Sequence, residues 1–276
     1  MSETWWFNGQ QTAMIPAYSR GLAYGDGLFE TIRVVESDIP LLSYHLSRLE
    51  RGADRLGLVL NWAAVDSAIA QAVSSGGQGQ YVLKLICTRS GQAKGYMPDE
   101  SNVDILLRLS PLWIESESKS LKAELCDTRL ACHPALAGVK HLNRLEQVMA
   151  ARELAPDVDD GILLDTGDHL IEALSSNLIF VSGKDWVCPD LTQSGVEGVM
   201  QAYIKQHARN LGTEVLIEQV PRSRLPEFDE ILLTNAVRGV RNLVKIGSEW
   251  SSSSGAAGDL LREYLLNQLH AGFQSF

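Results

Sequence analysis

Lys140 is the first residue whose placement calls for a chemical account. In GVKHLNRLEQ (138–147) it follows a glycine and a valine, and Leu142, Leu145, Val148 and Met149 continue at helical spacing. The pattern predicts a helix to about Leu154, with Lys140 at or just before its first turn. Basic side chains favour the other end of a helix. A lysine so placed is either an ordinary surface residue or a desolvated amine able to attack a carbonyl, and the positive pole of the helix would then disfavour its protonation.

Four further features bear on that choice. In HLIEALS a strand reading puts Leu170, Glu172 and Leu174 on one face and Ile171 and Ala173 on the other. Glu172 is then either buried, which requires a cationic or hydrogen-bonding partner, or on an edge strand facing water. Arg48 shares with Arg51 and Arg55 the helix face opposite the leucines. That face is either solvated or an anion site, because a guanidinium matches phosphate through two parallel hydrogen bonds. QSGVEGVM (193–200) leads into a helix whose first-turn N–H groups suit a phosphate, although many helices start after Gly or Ser without function. ILLTNA (231–236) ends a strand with Thr234 and Asn235 at a loop mouth, where ordinary turn chemistry is the alternative. Together, an amine, a carboxylate, an arginine and two phosphate-friendly backbone sites form the set that holds pyridoxal phosphate: amine to C4′, carboxylate to the ring nitrogen, arginine and helix terminus to the phosphate.

The elements that must position these residues read as mixed α/β. WWFNGQQTAMI looks like a hairpin turning at Asn8-Gly9, followed by helices at 44–57 and 62–75 and strands at 81–88 and 103–109. SPLWIESESKS shifts towards Ser, Glu and Pro, and divides a smaller N-terminal domain (1–112) from a larger C-terminal one (122–276) through a linker at 113–121. The second part opens with a strand, LKAELCDTRL, and continues after the Lys140 helix with a run of short strands from Gly161, the first pair turning at Asp165–Asp168. A helix at 196–212 stopped by Gly212, two strands in TEVLIEQV and DEILLTNA, and a closing helix from Asp259 complete it. A chain of 276 residues with 45% hydrophobic and 21% charged residues buries a substantial core. Its formal net charge of −10 argues against a nucleic-acid or anionic-membrane surface. No run is long enough to span a bilayer, MSETWWFNGQ lacks a signal-peptide pattern, and four scattered cysteines without CxxC spacing suit reduced thiols in the cytoplasm and no metal framework.

The chain resembles the fold-type-IV pyridoxal-phosphate enzymes, the two-domain α/β fold of the D-amino-acid aminotransferase kind, over nearly its whole length. The motifs are SRGLAYGDGLFETIRV (19–34), LLSYHLSRL (41–49), GVKHLNRLEQV (138–148), LIEALSSNLIF (170–180), GVEGVM (195–200) and LLTNA (232–236). GVKHLNRLEQV is similar to the aminodeoxychorismate-lyase branch in particular. The resemblance implies that Lys140 forms a Schiff base with pyridoxal 5′-phosphate and that Glu172 pairs with its ring nitrogen. It implies that Arg48, the backbone of Val199 and Met200, Thr234 and Asn235 bind the phosphate, with Asn177 of SNLIF also a cofactor-binding residue. It implies a homodimer, with the cofactor between the two domains, and a small-molecule substrate, aminodeoxychorismate, converted to 4-aminobenzoate and pyruvate for folate biosynthesis. Where branched-chain aminotransferases of this fold read FEG, this chain reads FET, and the Thr31 hydroxyl is implied in proton transfer. Relatives commonly carry arginine where Lys94 stands, which leaves the role of the 91–97 loop open. A D-amino-acid or branched-chain aminotransferase of the same fold is the alternative, and a non-catalytic binding protein a third.

Overall fold

A computed structural model describes residues 3–92, 94–112 and 120–269. The linker expected at 113–121 falls largely outside these residues, as does the end of the closing helix beyond residue 269. The chain divides into two compact units, Met1–Ile114 with Val139–Asn143, and Glu115–Gly138 with Arg144–Phe276.

In the first unit β1 (Thr4–Phe7) and β2 (Gln10–Gln11) form the expected hairpin. Its turn residues Asn8 and Gly9 are both at positive φ, as a two-residue turn matched to strand twist requires. A short α1 (Arg20–Tyr24) precedes β3 (Gly27–Val35). Then come α2 (Leu42–Leu56), α3 (Trp62–Gly76), β4 (Gln80–Arg89) and β5 (Val103–Pro111). The sheet order is β2-β1-β5-β4-β3. Along β4 burial alternates at every residue: Tyr81, Leu83, Leu85 and Cys87 enter the core with Ile32, Val34, Leu107 and Leu109 beneath α2 and α3. Residues of the opposite parity, among them Lys84 and Thr31, face away from that core.

One charged residue lies on the core side of β3. Glu30 is 1% exposed and accepts hydrogen bonds from His45 Nδ1 (2.6 Å) and Arg48 Nε (2.8 Å), with Arg48 Nη2 on its second oxygen. Of the two readings open for Arg48 in the sequence, the solvated face fails. Arg48 joins His45, Leu49, Gly52 and Ala53 on the buried stripe of α2, because a partner waits beneath. The Glu30, His45 and Arg48 contacts clamp α2 onto β3.

The second unit contains β6 (Ser120–Leu130), α4 (Leu145–Ala151), β7 (Asp160–Asp165), β8 (Leu170–Ala173), β9 (Asn177–Ser182) and β10 (Asp185–Pro189). They are followed by α5 (Val199–His207), β11 (Glu214–Glu218), β12 (Glu230–Asn235), β13 (Gly239–Ile246), β14 (Trp250–Ser251) and α6 (Ala256–Gln268). The helix expected to run to Gly212 ends at His207 and continues as a 3₁₀ turn, Ala208–Leu211, before Gly212 caps it. The sheet order is β11-β10-β9-β12-β13-β6-β7-β8, and β8 also pairs with β9, so six of these strands close on themselves. Leu121, Ile162, Leu164, Leu170, Leu178, Phe180, Ile231, Leu233 and Leu243 belong to one buried cluster of this unit. No helix among the described residues is long and apolar enough to cross a membrane.

Burial raises the Glu30 carboxyl, but Arg48 and His45 outweigh it and hold it at about 2, against an ordinary 4.5. Burial lowers the His45 pKa below its ordinary 6.5 despite the Glu30 charge. In both cases the unfolded chain binds the extra proton. Stability should therefore fall below pH 6.5 as the unfolded chain protonates His45, and fall further from pH 4.5 towards 2 as Glu30 is protonated. The Glu30 part is on the order of 3 kcal/mol. In urea titrations at stepped pH, Glu30→Gln should be less stable at neutral pH, because it leaves the Arg48 charge buried, and should show a flattened acid limb below pH 4.5.

Candidate functional site

Lys140 does not enter a helix. The first turn of α4 begins only at Leu145, and Val139–Asn143 runs extended beside the start of β3. Phe29 N–H donates to the Lys140 carbonyl (3.0 Å) and Leu142 N–H to that of Gly27 (3.1 Å). The helical spacing seen in the sequence is real but starts later, and its apolar members Leu145, Val148 and Met149 are 69%, 55% and 52% exposed. The first turn of a helix therefore does not direct the amine. Two backbone bonds hold its segment to β3, and Lys140 Nζ lies 4.3 Å from the Phe29 ring centroid.

Phe29 and Thr31 share the β3 face turned away from the core, and across the ladder Thr31 pairs with Lys84, which pairs in turn with Arg108. Lys84 Nζ lies 5.1 Å from the same Phe29 ring. Among the described residues its ammonium makes no hydrogen bond or ion pair. Burial, and then the Arg108 charge, lower its pKa. Arg108 stacks 5.5 Å from the Trp5 ring, and its Nε is buried without a partner among the described residues. Two amines and a guanidinium thus share one face with an exposed-side hydroxyl, a combination suited to a carboxylate-bearing ligand. Sequence reasoning missed Lys84, although a single charge inside YVLKLICT was a visible signal. Lys94 is exposed, in a loop held by Arg20, whose Nη1 and Nη2 donate to the carbonyls of Gly95 (2.9 Å) and Tyr96 (3.1 Å).

In the second unit Glu172 is 5% exposed, and the edge-strand alternative fails because β8 is paired on both sides. The simple alternation expected there is broken by a register shift between Leu163 and Leu164. Leu170 and Ala173 join the cluster named above, whereas Ile171 packs with Leu130, Ala150 and Leu163. Glu172 Oε2 accepts from Val196 N–H (2.8 Å) and Oε1 from Gln147 Nε2 (3.2 Å). The nearby Arg144 guanidinium is pushed down by burial and up by the Glu172 charge.

The start of α5 is built around Asn177. Its Nδ2 donates to the Val196 carbonyl (2.8 Å), and its Oδ1 occupies the space a Cβ on Gly198, the N-cap of α5, would need. No side chain caps the helix and its first turn holds no acidic residue. The N–H groups there, with Val199 and Met200 buried, have no partner within the helix and carry its positive pole. Thr234 pairs with Asn177 across β12 and β9, is fully buried, and its Oγ1 has no partner among the described residues. Asn235 is different. Its side chain donates to Ser175 O (3.2 Å) and Ser176 Oγ (3.0 Å) and accepts from the N–H groups of Val237 (3.0 Å) and Arg238 (2.7 Å). It shapes the turn after β12.

With this geometry in place, comparison with known proteins adds three findings. A family model described as amino-transferase class IV matches residues 27–246. The chain is 29% identical to an aminodeoxychorismate lyase of Vibrio harveyi over 93% of its own length and 96% of that protein. It is 36% identical to the crystal structure of 4-amino-4-deoxychorismate lyase from Pseudomonas aeruginosa, with a TM-score of 0.89 over 96% of this chain and 99% of that one. Branched-chain amino acid aminotransferase from Escherichia coli, at 19% identity and TM-score 0.85 over 98% of this chain and 95% of that one, has the same fold. The two-domain α/β fold of type IV expected from the sequence is the one these structures share.

Gly198→Ala should force Asn177 aside and release the Val196 carbonyl. We expect a loss of about 1–3 kcal/mol in urea unfolding. An unchanged midpoint would mean that Asn177 does not hold this turn.

Proposed function

Because the chain belongs to the amino-transferase class IV family, whose enzymes work with pyridoxal 5′-phosphate, we propose that it is an aminodeoxychorismate lyase, forming 4-aminobenzoate and pyruvate from 4-amino-4-deoxychorismate in folate biosynthesis. The observation that carries the reading is the Lys140 amine set over Phe29 on the sheet face that also bears Thr31.

The residues fit the cofactor. The orphaned Thr234 hydroxyl and the uncapped start of α5 at Val199 and Met200 suit its phosphate, and the buried Glu172 carboxylate suits a protonated ring nitrogen. Lys140 would hold the aldehyde carbon. Asn177 supports the phosphate cradle from behind, and Asn235 fixes the turn after Thr234. Arg48 remains the proposed phosphate arginine, oriented by Glu30. When bound, the cofactor supplies an electron sink for the carbon that loses a proton.

With the cofactor held, Lys140 would be the base that takes the C4 proton of the substrate. The C3–O bond to the enolpyruvyl group then breaks, the ring becomes aromatic, and the departing enolpyruvate gains a proton at its methylene carbon to become pyruvate. Thr31, on the same sheet face as Phe29, would relay that proton, and Lys140 would free the 4-aminobenzoate. Lys84 and Arg108 offer the substrate's carboxylates two positive groups, one of them without a counter-ion among the described residues. A second copy of this chain is the proposed partner, and the exposed Met14, Tyr18 and Leu22 offer an apolar surface for it.

Purified protein supplied with aminodeoxychorismate should yield both products, whereas keto-acid exchange with an amino acid in their place would make it an aminotransferase. Lys140→Ala should lower turnover by roughly a hundredfold to ten-thousandfold. Borohydride should fix the cofactor on Lys140 of the wild type, and mapping it to another lysine would end the assignment. Separately, Lys84→Met should raise KM for aminodeoxychorismate about tenfold with a smaller effect on kcat, the loss of one charge-assisted contact.

A further inference from the structure

We infer that Gln147 is a positioning residue for the reaction proposed above, its side-chain amide fixing the direction in which the Glu172 carboxylate meets the cofactor's ring nitrogen. The inference rests on the assignment of Glu172 to that nitrogen.

The carboxylate is held at two points of different character. Oε2 is fixed by backbone: Val196 N–H reaches it because Gly195, at φ +80°, brings the loop so close that a Cβ there would run into Ile171 and lie 3.3 Å from Oε2 itself. Oε1 is fixed by Gln147 Nε2 from the first turn of α4. The terminal torsion of a glutamate is broad. The Gln147 bond adds a directional contact on the oxygen that Val196 does not hold, and so restricts the plane of the group. The donor end of the amide must face Glu172, since the opposite orientation would set oxygen against carboxylate.

Two observations separate this from ordinary packing. The other end of the amide, Gln147 Oε1, is buried and has no partner among the described residues, which is unfavourable for folding. A methionine of similar length would fill the space without that penalty, so the glutamine is useful for its donor. Positive charge is already present, because Arg144, three residues earlier, lies close enough for the Glu172 charge to raise its pKa against burial. A neutral donor orients the carboxylate without further offsetting the negative charge that the ring proton needs.

The test compares wild type, Gln147→Met, Gln147→Glu, Glu172→Gln and the Gln147→Met/Glu172→Gln pair. The readouts are cofactor dissociation constant, bound-cofactor absorbance against pH, kcat and KM, and melting of the apoprotein. Gln147→Met should weaken cofactor binding about tenfold, lower kcat with KM nearly unchanged, and shift the absorbance transition to lower pH. Apoprotein melting should be essentially unmoved. In Gln147→Glu the new carboxyl donates only while protonated, so near-wild-type cofactor affinity should return at low pH and disappear as pH rises. In the Glu172→Gln background, Gln147→Met should have little further effect. A full additional loss there, or a melting loss that accounts for the weaker binding, overturns the inference. If Glu172→Gln changes affinity and absorbance but neither Gln147 variant does, the inference alone fails. Wild-type behaviour from Glu172→Gln would instead remove the assignment of Glu172 on which it rests.

Discussion

A carboxylate buried in the wall of a closed sheet is the constraint from which much of the second unit follows. A carboxylate buried there needs donors. The sheet provides for it by breaking its own regularity. The register shift at Leu163 and Leu164 takes Ile171 away from the cluster that holds Leu170 and Ala173, and Glu172 meets a backbone N–H and an amide. The loop that delivers Val196 is tied by its carbonyl to Asn177, and Asn177 fits against Gly198 at the start of α5. The same short run therefore satisfies the carboxylate at one end and leaves an uncapped helix start at the other. An uncapped helix start and an anionic side chain are thus built from neighbouring residues.

The first unit divides its labour by strand parity. One face of the sheet is closed by α2 and α3, with the Glu30 carboxylate drawn under them, paired with Arg48 and hydrogen-bonded by His45. The opposite face gathers Phe29, Thr31, Lys84 and Arg108, and there the Lys140 amine lies against an aromatic ring. An aromatic face attracts a cation without offering it a proton acceptor. Both Lys84 and Lys140 lie against the one Phe29 ring, and the Lys84 ammonium keeps its hydrogen-bonding capacity for a ligand. A carboxylate in the same position would hold Lys84 more tightly and make it less available.

Much of the architecture was legible because it rests on local rules. Asn8-Gly9, the leucine face of α2 and the strand β4 all follow from residue type and period. What could not be read depended on distant partners. Arg48 has the spacing of a solvent-face residue as much as of a buried one, and only Glu30 on another element decides. Burial of Glu172 was foreseen as one of two options, but the bulge that directs it is a property of pairing with β7 and leaves no mark in LIEA. The strand β13 went unseen because GVRNLVKI mixes charge with its aliphatic residues. Val199, Met200 and Thr234 were picked out by motif, and their chemistry became concrete only with the missing cap and the unpaired hydroxyl.

The run GVKHLNRLEQ shows why periodicity misled at the point of greatest interest. Its apolar spacing belongs to α4, yet the residues that matter follow the passage of the chain from one unit into the other. Lys140 and Asn143 are tied to the first unit, through Phe29 N–H and the Gly25 carbonyl, while Arg144 and Gln147 belong to the second and act on Glu172. A segment with separate duties on each side of such a passage cannot be one amphipathic helix. Its polar residues fall where each partner requires them, and the leucine spacing seen in the sequence accompanies only the last of these tasks.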